Sequence, residues 1–233
     1  MPVAENIARV RERIADAAAR ARRNPADISL MAVTKTVGAP PILEAYAAGI
    51  RLFGENRVQE FAAKSGPLLT LSGAEWHMIG HLQSNKAAKA ADLFGFVDSV
   101  DSIQLARKLN AAASQLGSRL PVLIEINIGG EAAKHGVGSD SRELHQLLAA
   151  AEEFTSLEFR GLMTVPPYSD DPQQSRPHFR RMRELFRNIA DRNPAHVNMS
   201  VLSMGMSHDF EIAIEEGATC VRVGTAIFGE RAR

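Results

Sequence analysis

The sequence predicts an α/β fold, a single-domain (β/α)8 TIM barrel with an extra N-terminal helix. Three observations carry that reading. Eight short apolar runs alternate with stretches of helical spacing, at roughly 25 residues per pair, as a closed barrel of parallel strands requires. The length of 233 residues suits one barrel, and no low-complexity linker marks a second domain, so residues 1–233 are read as one unit. The turn after the first strand, Thr34-Lys35-Thr36-Val37-Gly38, lacks the Gly-x-Gly-x-x-Gly of a doubly wound open sheet, the alternative architecture.

Within residues 1–24, Ile7, Val10, Ile14, Ala17 and Ala21 recur at three- and four-residue steps, the stripe of an amphipathic surface helix. The arginines there suggest a targeting segment, but Glu5, Glu12 and Asp16 interrupt that pattern. Strands are expected at 28–35, 51–55, 75–79, 95–100, 121–128, 158–164, 197–204 and 219–224. Helices are expected within 41–49, where Gly49 is a C-terminal stop, from about 58, and over 86–93, 103–116, 140–154, 178–192 and 209–216.

Composition narrows the function. Hydrophobic residues at 45% and charged residues at 23% exclude intrinsic disorder. Twenty-seven basic and 27 acidic side chains balance, so the chain lacks the positive field of a dedicated nucleic-acid binder. Cys220, alone, forms neither an internal disulfide nor a thiolate metal cage, which fits a reducing cytoplasm. No apolar run is long enough for a membrane span.

Chemistry in a barrel collects at the C-terminal ends of its strands. Lys35 ends an apolar strand there. In a pocket its amine loses charge and becomes a nucleophile toward an aldehyde; the plain alternative is a lysine emerging into solvent. Arg222 lies inside the eighth strand and needs an acceptor, either a barrel carboxylate such as Glu125 or a ligand heteroatom. Gly224-Thr225 with the run Ser203-Met204-Gly205-Met206-Ser207 forms an oxyanion cradle, where glycines admit backbone N–H groups and hydroxyls add donors. Ser207 also suits a helix N-cap. His77 and His81 are four apart but on a strand end, so no metal site is expected. Loop 129–138, with four glycines and Lys134, is either a lid or an ordinary mobile loop.

Together these segments resemble the pyridoxal-phosphate barrels of the alanine racemase N-terminal type. Closer still is the resemblance to the small pyridoxal phosphate homeostasis family, which includes the proline synthetase co-transcribed homolog. The matching segments are Ala32-Val33-Thr34-Lys35, Phe53-Gly54-Glu55-Asn56-Arg57-Val58-Gln59-Glu60, and the stretch from Trp76 to Lys86. Asn127-Ile128-Gly129-Gly130-Glu131, Gly161-Leu162-Met163-Thr164, the run from Leu202 to Ser207 and that from Val221 to Gly229 complete it. The resemblance implies a Schiff base between Lys35 and pyridoxal 5'-phosphate. It implies Arg222 opposite the pyridine nitrogen, Ser207, Gly224 and Thr225 on the phosphate, and Asn56 along the ring, with His81 and Ser203 as further candidates. It implies intracellular cofactor buffering or delivery without catalytic turnover, apo pyridoxal-phosphate enzymes as recipients, and a monomer. The second domain that racemases add is not expected. A pyridoxal-phosphate racemase or decarboxylase and a cofactor-free Schiff-base aldolase are the competing readings.

Overall fold

Strand β1 (Ser29–Val33) pairs in parallel with β2 (Leu52–Glu55) on one side and with β9 (Cys220–Val223), the last strand, on the other. From β2 the sheet runs through β3 (Glu75–Met78) and β4 (Phe96–Val100) to β5 (Leu120–Asn127). It returns through β7 (Leu157–Thr164) and β8 (Val197–Ser203) to β9. The ring of eight parallel strands is therefore closed, each strand paired with a neighbour on either side. The computed structural model describes residues 2–131 and 134–230.

Each strand is followed by a helical crossover, because parallel neighbours cannot be joined by a tight turn. The helices are α2 (Ala39–Ala47), α3 (Val58–Lys64), α4 (Ala87–Leu93), α5 (Ile103–Gln115), α6 (Arg142–Ala149), α7 (Arg176–Arg192), α8 (Phe210–Glu215) and α9 (Thr225–Phe228). Aromatic rings seat some of them on the sheet. Trp76 stacks on Phe53 at 4.7 Å and meets Phe61 of α3 at 4.7 Å, which in turn meets Phe94 at the end of α4 at 4.9 Å. The N-terminal helix α1 (Val3–Arg20) buries Ile7, Val10, Ile14 and Ala17, as its spacing predicts, and packs on α8, α9 and α2. Asn6 of α1 donates to Ile227 O at 2.8 Å, tying it to the helix that follows β9.

The boundaries depart from the sequence reading where backbone geometry intervenes. The last strand ends at Val223, because Gly224 already caps α9. The helix expected over 140–154 stops at Ala149 and continues as a 3-10 turn, Ala151–Glu153. Helix α7 begins two residues early, with Pro177 in its first turn where a missing N–H costs nothing. An unexpected short strand, β6 (Val137–Gly138), adds to β5 inside the glycine loop. Among the described residues no helix is long and apolar enough to cross a membrane.

Candidate functional site

Pairing of β1 with β9 brings the two ends of the chain's chemistry together. Ala32 is in register with Val223, so the turn bearing Lys35 and the Gly224-Thr225 segment leave adjacent strands at the same rim. Lys35 is half-buried and occupies the second position of a tight turn closed by Val37 N–H to Thr34 O at 3.0 Å. Thr36, the third residue, has φ of 59°, a left-handed conformation uncommon for a β-branched side chain. The turn is braced from α3. Lys64 Nζ lies 2.8 Å from Thr34 O, 2.9 Å from Val37 O, 3.2 Å from Glu60 Oε1 and 2.8 Å from the buried Glu55 Oε1. Thr34 Oγ1 donates to the same Glu55 oxygen, and Thr36 N–H donates to Glu60. Burial pushes the Glu55 carboxyl upward, opposed by Lys64 and Thr34.

Arg222 is buried to 3% exposure, and its acceptors are neutral: Ser203 Oγ at 2.7 Å and Thr164 O at 2.7 Å. Glu125, the carboxylate weighed as its ion-pair partner, acts on it through electrostatic attraction. Burial lifts the Glu125 carboxyl to about 7; nearby Asp101 adds to the rise and Arg222 opposes it. Glu125 Oε2 is buried without a hydrogen-bond partner. Deeper in the barrel, His77 Nδ1 sits 2.7 Å from Asp98 Oδ1. Burial pulls this imidazole down, but Asp98, helped by Glu75, outweighs it and raises the group to about 9.

The cradle forms around one hydroxyl. Backbone N–H groups of Gly224 and Ala226 converge on Ser207 Oγ at 3.2 and 3.3 Å. Ser207 is thus not the cap of α8, which starts at Phe210. Asp209 stands in that place and is occupied otherwise, accepting from Met206 N at 2.7 Å and Ser175 Oγ at 3.0 Å. Gly205, with φ of 93°, lets the 203–207 segment lie against α8; a Cβ there would meet Phe210 Cα at 2.9 Å.

Asn56 and His81 line a cavity of about 320 Å³ beside the ends of β2 and β3. Asn56 Oδ1 is buried without a partner. Gly80 closes the gap between these loops, since a Cβ would lie 2.4 Å from Asn56 O. His81 Nδ1 is 3.1 Å from Asp101 Oδ2, and its ring stacks on His135 with centroids 3.5 Å apart and planes within 7°. His81, Asp101 and His135 are the group of potential metal ligands among the described residues. With the two rings parallel, their in-plane lone pairs do not converge on one point. The described part of loop 129–138 is anchored: Asn127 Nδ2 donates to Glu131 O and Lys134 O, and Lys134 Nζ to Pro166 O at 3.1 Å. Residues 132 and 133 of that loop lie outside the described residues.

Because the strands are parallel, the segments that carry Lys35, Asn56, His81, Ser203, Ser207, Gly224 and Thr225 leave them at the same end of the barrel, and Ser203 with Arg222, and Ser207 with Gly224, are in direct contact. The Lys64–Glu55–Glu60 brace was missed, whereas Glu125 was foreseen only as a partner for Arg222 and not as a half-buried carboxyl with an unpartnered oxygen. A signal for the first existed in the Glu60/Lys64 pair four apart on one helix face.

Comparison with known proteins extends this geometry. Residues 6–232 match the family described as alanine racemase, N-terminal domain. The pyridoxal phosphate homeostasis protein of Aquifex aeolicus is 43% identical over 231 residues, 99% of each chain. PipY of Synechococcus elongatus, solved with pyridoxal phosphate bound, is 35% identical with a TM-score of 0.84, the match covering 97% of this chain and all of PipY. Alanine racemase of Clostridium difficile superposes with a TM-score of 0.73 at 15% identity over 57% of its own chain, a likeness of fold alone.

Proposed function

The chain belongs to the alanine racemase N-terminal domain family and, within it, to the pyridoxal phosphate homeostasis proteins, and from that membership we propose that it binds pyridoxal 5'-phosphate and buffers or delivers it inside the cell. The single observation that carries the reading is the β1–β9 pairing, which sets the Lys35 turn beside the Ser207–Gly224 cradle. An amine next to an anion-binding backbone is the donor set that a phosphorylated aldehyde requires. The residues fit the group in a second respect. Asn56 Oδ1, buried without a partner, is an acceptor waiting for a donor from outside the chain.

In this reading Lys35 adds to the aldehyde carbon as a neutral amine and the aldehyde oxygen leaves as water, giving a Schiff base. Ser207, Gly224 and Thr225 hold the phosphate, and Asn56 borders the ring, with His81 and Ser203 nearby. Bound pyridoxal phosphate supplies an electron sink for amino-acid chemistry. Arg222 restrains that capacity. Ser203 and Thr164 fix its position, and placed against the pyridine nitrogen it would donate a hydrogen bond while keeping its proton, because a guanidinium does not release one near neutral pH, so the ring nitrogen would stay unprotonated. This favours holding the cofactor over turning over a substrate. A soluble monomer in the cytoplasm, passing its cargo to apo enzymes, completes the proposal.

Two measurements test it. Protein loaded with pyridoxal phosphate is expected to be yellow, to carry the borohydride-reduced adduct on Lys35 by mass spectrometry, and to lose the visible band in Lys35→Ala. A wild type that takes up no cofactor, or an adduct on another lysine, sinks the site assignment. Amino acids incubated with the loaded protein in deuterated water are expected to show no sustained α-hydrogen exchange; exchange at enzymatic rates replaces this reading with a racemase-like one.

A further inference from the structure

The brace beneath the Lys35 turn is more elaborate than a turn of four residues needs for its own stability. Lys64 is 14% exposed and Glu55 fully buried. Taking both charges out of water is costly, and a buried ion pair is weak ground for stability alone. What the pair does hold is geometry. Two of the ammonium's contacts are the carbonyls of Thr34 and Val37, the first and last residues of the turn. Thr34 O receives both the turn's own Val37 N–H and Lys64, and Glu55 receives both Thr34 Oγ1 and Lys64. Glu60 takes the N–H of Thr36, the residue in the left-handed conformation. All three neighbours of Lys35 in the turn are thus fixed from α3 and β2.

We propose that Lys64, with Glu55 and Glu60, is a positioning residue that holds the Lys35 amine in line with the anion cradle and so sets the rate of aldehyde capture. The inference rests on the reading of Lys35 as the capturing amine. A reacting group misplaced by a fraction of an ångström loses rate while the remote binding contacts, here the cradle on β8 and β9, are untouched.

The test separates capture from binding. Capture is followed by stopped-flow absorbance with pyridoxal phosphate; binding is measured by calorimetry with 4-deoxypyridoxine 5'-phosphate, which keeps ring and phosphate but has no aldehyde. For Lys64→Gln we expect capture to slow by on the order of tenfold or more, with analogue affinity close to wild type. Capture at the wild-type rate overturns the proposal. So does an equal loss of capture and analogue binding, which makes the brace a support of the fold only. Should Lys64→Gln fail to fold, Glu60→Gln decides, with the same split expected at smaller amplitude and a wild-type rate overturning it. A wild type that captures no aldehyde, and so behaves as Lys35→Ala does, brings down the reading of the site and the brace with it. Capture lost in Lys35→Ala but intact in both brace variants brings down the brace alone.

Discussion

Glu125 and His77 carry the clearest electrostatic consequences at the level of single side chains. Glu125 has an ordinary value of 4.5 and is raised to about 7 in the fold, first by burial. An acid raised on folding contributes stability that is whole below its unfolded value and is lost as pH rises through its folded one. Glu125→Gln removes that loss. Urea titrations are expected to show the variant gaining on wild type between pH 4.5 and 7, by on the order of 2–3 kcal/mol at the upper end. A difference that does not change with pH contradicts the assignment. His77, raised from 6.5 to about 9 by Asp98 against the opposing effect of burial, behaves in the same direction in a higher window. Its contribution is present below pH 6.5 and fades as pH passes 9, so the cost of His77→Gln is expected to shrink across that interval in the same titrations. Arg222 was legible in the sequence because a guanidinium in an apolar strand must have acceptors. Its actual acceptors, a serine on β8 and a carbonyl on β7, were not, since they depend on which strands become neighbours.

Where elements meet, glycines decide how closely. Gly80 follows β3, and the Asn56 backbone after β2 lies where its side chain would be, with Asn56 O at 2.4 Å and Asn56 Cα at 2.8 Å. Neither is the movable end of a side chain, so Gly80→Ala must shift the loop that carries Asn56. The expected outcome is a loss of about 1–3 kcal/mol in stability and about tenfold weaker pyridoxal phosphate binding, read by denaturant midpoint and by titration. Wild-type affinity in a folded Gly80→Ala protein removes Asn56 from the site. Most strands and helices were readable from apolar periodicity, since a barrel strand covered on both faces is a short apolar run. Two short elements escaped: α9, four residues directly after the last strand, and β6, whose two residues, Val137 and Gly138, pair with the end of β5. Helix α6 likewise ends by local backbone geometry, for which its apolar spacing holds no signal.

For the molecule as a whole, closure of the ring is the event that makes a site. Lys35 lies near the start of the chain and the cradle near its end, and neither contains information about the other until β9 pairs with β1. Counting eight strands separated by helices was enough to foresee that meeting, because a closed barrel has one neighbour available to each terminal strand. The brace from α3 was not foreseeable in that way, as it depends on where one lysine reaches from a helix to a turn. Closure also predicts that the cradle and the amine act separately. Inorganic phosphate, which has no aldehyde, is expected to raise the thermal midpoint of wild type by binding the cradle in the native state alone. At a hundredfold excess over its dissociation constant the stabilisation is about 2.7 kcal/mol, worth roughly 5–10 °C for a chain of this size. Lys35→Ala should keep that shift and Ser207→Ala, which removes the hydroxyl on which Gly224 N–H and Ala226 N–H converge, should lose most of it. Equal phosphate stabilisation in Ser207→Ala and wild type, read by differential scanning calorimetry, would move the anion site away from the β8–β9 rim.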